Sequence, residues 1–116
     1  MITFAIPGTP VPKARARVVR GRAFTPRATA AFERKVALCA KVALQGRGPV
    51  VGPVEVVCAF YLPDARRRDG DNLFKSVTDA LNGLAYADDS QICSGHWTKH
   101  IDRENPRCVV TVEPLT

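Results

Sequence analysis

A short β-forming run at residues 2–6 opens the chain and is closed by Pro7, Pro10 and Pro12. Residues 15–24 then alternate basic with apolar side chains around Arg20-Gly21, the pattern of a two-stranded ribbon with a tight turn. Thr25-Pro26 marks a helix start: the hydroxyl can cap free amides and proline suits the first helical position. Phe32, Val36, Cys39, Ala40 and Ala43 follow at helical spacing, and Gly46 and Gly48 end a helix of about twenty residues. Val54–Leu62 is rich in β-branched and aromatic residues and reads as a strand ended by Pro63-Asp64. Residues 71–82 read as a second helix, with Leu73, Phe74, Val77 and Leu81 inward and Gly83 at its end. Asp88-Asp89-Ser90 is a turn signal, and residues 91–101 and 107–112 read as strands. Their link is short and polar, so an antiparallel hairpin is expected between them. The pattern predicts an α+β fold, with a mixed or antiparallel sheet and two principal helices.

At 116 residues the chain fits one domain, 1–116, and nearly half its residues are apolar, enough for a core. The net charge of +6 is unevenly spread. Residues 1–63 hold ten Lys/Arg against two acids, and residues 64–116 hold seven against nine. A half that binds polyanions is thus joined to a half that concentrates carboxylates. None of Cys39, Cys58, Cys93 and Cys108 forms a CxxC pair. Proline ends the opening apolar run too early for a signal peptide or a membrane span. We therefore expect a cytoplasmic chain with reduced thiols and no membrane partner.

The segment Asp69-Gly70-Asp71-Asn72-Leu73-Phe74-Lys75, followed by Asp88-Asp89-Ser90-Gln91, concentrates the chemistry. Residues two apart in extended backbone project to one side, so Asp69 and Asp71 can present carboxylates together. Gly70 between them allows a bend and leaves a ligand unobstructed, and Lys75 lies one helical turn beyond Asp71. The second helix leads the chain away, and the turn at Asp88-Asp89 can return further carboxylates. Magnesium takes hard oxygen donors, commonly one or two carboxylates plus substrate phosphates. Beside a phosphodiester, one or two such ions could activate water and stabilise the leaving oxygen. Each acid also has a plainer reading: Asp71 as a helix cap, Asp88-Asp89 as a turn.

The stretch RRRDGDNLFKSVTDALNGLAYADDSQI resembles the signature of the RusA family of Holliday junction resolvases. That signature sets Asp-x-Asp-Asn and a lysine at the start of a helix, then Asp-Asp-x-Gln ahead of a strand. The detailed likeness covers about a quarter of the chain, with the N-terminal arm matching least. It implies a homodimeric endodeoxyribonuclease of recombination and repair that binds four-way junctions and makes paired, magnesium-dependent incisions, with manganese a possible substitute. Carried over by position, Asp69, Asp71 and Asp89 match the metal-binding acids and Lys75 the lysine that assists catalysis. Asp88 matches the first member of the acidic pair. Asp79, two turns beyond Asp71, reads as a surface salt-bridge partner.

Lys13, Arg15, Arg17, Arg20, Arg22 and Arg27 lie on or beside the expected ribbon and suit phosphate contacts. Arg66, Arg67 and Arg68 adjoin the acids and could hold the scissile strand or pair with Asp64 or Asp69. Cys93, His96 and His100 imitate a zinc spacing, but on a strand Cys93 and His96 face opposite ways, and no fourth ligand is evident. The histidines have no obvious nucleophile partner for a hydrolytic triad. Trp97 reads as a packed residue or a base-stacking one. Two rival functions stand beside the resolvase: a non-catalytic dimer that binds branched DNA, and a nuclease for flap or RNA structures.

Overall fold

The computed structural model describes residues 1–14 and 17–115. Strands β1 (Ile2–Pro7), β2 (Arg17–Val19) and β3 (Arg22–Phe24) precede helix α1 (Arg27–Leu44). Strand β4 (Val54–Leu62), helix α2 (Gly70–Leu81), strand β5 (Ile92–Ile101) and strand β6 (Arg107–Pro114) follow. The main sheet has the order β1–β6–β4–β5; β6 runs antiparallel to both β1 and β4, and β5 runs parallel to β4. The α+β class with a mixed sheet and two helices is as the pattern predicted.

Alternation builds the core. Ile2, Phe4 and Ile6 of β1, Val54, Val56, Cys58, Phe60 and Leu62 of β4, and Cys108, Val110 and Val112 of β6 turn to one face and are buried. Phe32, Val36, Ala40 and Leu44 of α1 and Leu73, Val77 and Leu81 of α2 complete the same cluster. Both helices therefore cover one face of the sheet. The opposite face is more open, with Thr3, Ala5, Val57, His96, Thr98 and His100 exposed.

The expected β5–β6 hairpin does not form, because β4 lies between these strands. A five-residue link can cross two inter-strand spacings, about 10 Å, as readily as one. The link is pinned over the end of β4: the Asp102 N–H donates to the Leu62 carbonyl at 2.8 Å, and Arg107 pairs with Asp102 at 2.9 Å. Strand composition decides the order. β6 alternates buried and part-buried residues and suits an interior place, whereas β5 is exposed along most of its length and suits an edge. A parallel neighbour in turn requires a crossover, which α2 supplies. The start of α2 thereby meets the C-terminal end of β4.

The start of α1 also differs from expectation. Thr25 does not cap α1; Pro26 occupies the N-cap with no side-chain cap. The buried Thr29 hydroxyl instead donates to the Pro12 carbonyl at 3.2 Å and accepts from the Ala14 N–H at 3.4 Å, holding the N-terminal arm against the helix. The ribbon turn forms as read, with Arg20 and Gly21 both at positive φ (51° and 77°).

Candidate active site

Loop 63–69 is shaped by Asp64. Its Oδ1 accepts the Arg66 N–H at 3.0 Å and the Arg68 Nη1 at 2.7 Å. The Arg68 bond above all holds the Asp64 carboxyl below the usual range. The arginine triplet is thereby divided. Arg68 is a largely buried brace, whereas Arg66 and Arg67 extend into solvent, 85% and 92% exposed. Lys99 on β5 ties the loop from the other side, donating to the Arg68 carbonyl at 2.8 Å.

The two acids follow at the start of α2. Asp69 is the N-cap residue; its carbonyl accepts the Leu73 N–H, but its carboxylate makes no cap. That carboxylate stands half-exposed, 3.5 Å from Arg67 Nε and 3.5 Å from Asn72 Nδ2. Asp71 is exposed in the first turn, where the positive end of the helix dipole favours an anion. Its only side-chain hydrogen bond among the described residues is from the Asn72 N–H, at 3.1 Å. Between them Gly70 is buried beneath the Trp97 indole: a Cβ there would lie 2.2 Å from the ring. Trp97 is thus a packing residue of the site, though it keeps 40% of its surface exposed.

Lys75 is exposed and reaches Asp79 at 3.4 Å. Asp79 is half-buried and also holds Lys13 at 3.2 Å, and Lys13 reaches Glu33 at 2.6 Å. The Lys13 N–H donates to the Asn72 carbonyl, so the arm is bound to α2 by main chain and side chain together. Burial lowers the Lys13 pKa, but the hydrogen bonds and charges of Glu33 and Asp79 outweigh it and leave the pKa raised. The Lys13 ammonium is thus taken up within the protein. Asp79 acts as the ion-pair partner the sequence suggested, with the added role of linking Lys75 to Lys13. Glu33 was not foreseen; its one signal is that it is the only acid in α1.

The second acidic pair separates into two jobs. Asp88 caps a 3₁₀ turn over Asp89–Gln91, accepting the Ser90 N–H at 3.0 Å, which lowers its pKa. The Gln91 side chain accepts from the Ala87 and Asp88 N–H groups and donates to the Val50 and Gly52 carbonyls, all within 3.0 Å. Gln91 therefore fastens the turn to the loop before β4, a role the motif alone does not disclose. The Asp89 carboxylate is left exposed and makes no hydrogen bond or ion pair with the described residues. Tyr86 beneath it is buried and donates to the Thr78 carbonyl at 2.7 Å; burial first, then the Asp89 charge, keeps the phenol protonated.

Among the described residues no three of His, Cys, Asp and Glu stand close enough to share one ion. Asp69 and Asp71 flank one glycine, while Asp89 stands on a separate turn beside Tyr86. Arg15 lies outside the described residues, as does the side chain of Arg17. Arg20, Arg22 and Arg27 are exposed. Ser94 is an unforeseen neighbour of His96, with Oγ 3.1 Å from Nε2, and it donates to Glu55 at 2.8 Å. The same ring nitrogen faces both Ser94 and Glu55, whereas a nucleophilic relay needs one nitrogen for each partner.

A family model described as endodeoxyribonuclease RusA matches residues 7–113. No curated protein matches the chain.

Proposed function

The chain belongs to the RusA family of endodeoxyribonucleases, and we propose that it resolves four-way DNA junctions in recombination and repair by paired, magnesium-dependent incisions. The observation that carries this reading is the pair of weakly compensated carboxylates at the start of α2. Asp71 and Asp89 have no ion-pair partner among the described residues, and the partner of Asp69 is the highly exposed Arg67. Free carboxylates in a chain of net charge +6 are poorly suited to meeting a phosphodiester alone and well suited to meeting it with a cation.

Asp69 and Asp71 would hold magnesium, or manganese, through exposed carboxylate oxygens, with water and phosphate completing its shell, and Asp89 on its separate turn would serve a second ion. When bound, the ion supplies Lewis acidity and offsets charge between the acids and the phosphate. The chain's own groups do the rest. Arg67 lies beside Asp69 and steers the strand toward the acids. Gly70 presents no side chain, so the Trp97 indole can pack against the backbone between the acids and hold it in place. Lys75 positions the attacking water or neutralises charge growing on the phosphoryl oxygens. The phosphorus–oxygen bond breaks as the water oxygen bonds to phosphorus, and the proton from water passes to the leaving oxygen or to solvent. A single 116-residue domain carries one such centre, so two related cuts call for a homodimer whose symmetry matches that of the junction. The four free thiols suit a cytoplasmic setting.

The test is incubation with an end-labelled four-way junction, with magnesium and with chelator. Paired nicks that require the ion are expected. Asp71→Asn is expected to abolish cutting while keeping junction binding, with stability within about 0.5 kcal/mol because the side chain is exposed. Wild-type cleavage by that variant would remove Asp71 from the mechanism. Preference for flap, duplex or RNA competitors would move the substrate away from junctions, and chelator-insensitive binding without any product would leave a DNA-binding protein.

A further inference from the structure

At the C-terminal ends of the parallel strands β4 and β5 lies an open cleft of about 280 Å³, bordered by loop 63–69. Leu62, Ala65 and Ile101 give it an apolar lining, and Arg66 and Lys99 supply its positive charge. Asp64, the acid of the cleft, is already committed to Arg68 and to the Arg66 N–H. Arg66 approaches Asp64 only at 4.0 Å and is 85% exposed. Lys99 spends one of its three donors on the Arg68 carbonyl.

We infer that this cleft is a nucleotide subsite: Arg66 and Lys99 hold a phosphodiester of the DNA strand next to the one being cut, and its sugar rests on the half-exposed Ile101. Two cations with spare donors beside an apolar lining match the two halves of one nucleotide unit. The place on the chain fixes its relation to the reaction. Arg68 immediately precedes Asp69, so Lys99 touches at once the cleft and the loop that presents the first acid. This inference rests on the nuclease reading, and it adds Lys99 and Ile101 to the residues that meet DNA.

Its test needs no cleavage. Binding of a four-way junction is measured in chelator over a series of salt concentrations for the wild type, Arg66→Gln, Lys99→Gln and Lys99→Arg. Each phosphate contact contributes close to one to the slope of log K against log salt, so both glutamine variants are expected to lower the slope by about one, and Lys99→Arg to restore it. Arg66→Gln breaks no tie to the fold, and a merely structural role for Lys99 would weaken binding without moving the slope. Unchanged slopes in both glutamine variants overturn the subsite. In a second arm, the Ile101 methyl resonances are followed by NMR with a short DNA strand and with inorganic phosphate. A shift with DNA at concentrations where phosphate has no effect is expected; equal shifts make the cleft a free-anion site and overturn the assignment. Magnesium-dependent nicking by the wild type tests the enzymatic reading separately, so the two fail in distinguishable ways.

Discussion

At Gly70 two opposed effects can be weighed. Alanine gains up to about 1 kcal/mol over glycine inside a helix, and less in the first turn. Against this, the new Cβ would fall 2.2 Å from the Trp97 ring, and forcing an extra carbon into a packed contact typically costs about 1–3 kcal/mol. The clash wins. Gly70→Ala is expected to lower stability in urea unfolding, and to slow cutting by moving the acids on either side. A variant as stable and as active as the wild type would show that the indole yields freely. Neighbouring residues of like charge also divide at this scale: Arg68 braces while Arg66 and Arg67 extend, and Asp88 caps while Asp89 stays free. Such pairs are chemically identical in the sequence. What separates them is the backbone direction at each residue, which depends on the fold.

Among the elements, the turn carrying Asp89 depends on one side chain. Gln91→Ala removes four hydrogen bonds at once and leaves the Val50 and Gly52 carbonyls without that partner. With about 0.5–1.5 kcal/mol net for each bond, a loss of several kcal/mol is the upper bound, reduced because the exposed amides can turn to water. The expected outcome is lower stability together with faster amide exchange at residues 87–91, measured by hydrogen exchange; unaltered protection there would deny Gln91 its role. The elements themselves were largely legible. β4 has the predicted bounds, and α2 begins and ends within one residue of expectation, because β-branched alternation and an apolar helical stripe are local signals. The strand order was not legible, since a five-residue link fits either a hairpin or a crossing over β4. Lys13 was read as a DNA contact because its partners, Glu33 and Asp79, are brought to it only by packing of the arm between the helices.

Across the whole molecule, three of the ties described above depend on ionised aspartates. The Asp64 carboxyl is lowered chiefly by Arg68, Asp88 by the hydrogen bond from Ser90, and Asp102 by Arg107. Their unfolded values lie near 3.8. A lowered folded value means that each group adds stability above that pH and loses it as the pH falls through the folded value. At the alkaline end Lys13, raised above 10.5, adds stability below that pH and loses it as the pH climbs beyond. The urea midpoint is therefore expected to stay level between about pH 5 and 8 and to drop below about pH 4. A midpoint unchanged down to pH 3 would mean that these ties persist in the unfolded chain.

The indole that caps Gly70 belongs to the sole tryptophan of the chain. Light at the red edge of the protein's absorption, where indole alone absorbs, therefore excites one ring, seated against the backbone that joins Asp69 to Asp71. The protein thus carries its own optical probe where the acids meet, with no dye to attach. Cation arrival or strand docking becomes visible as a change in emission colour or brightness, in real time and in the unaltered polypeptide.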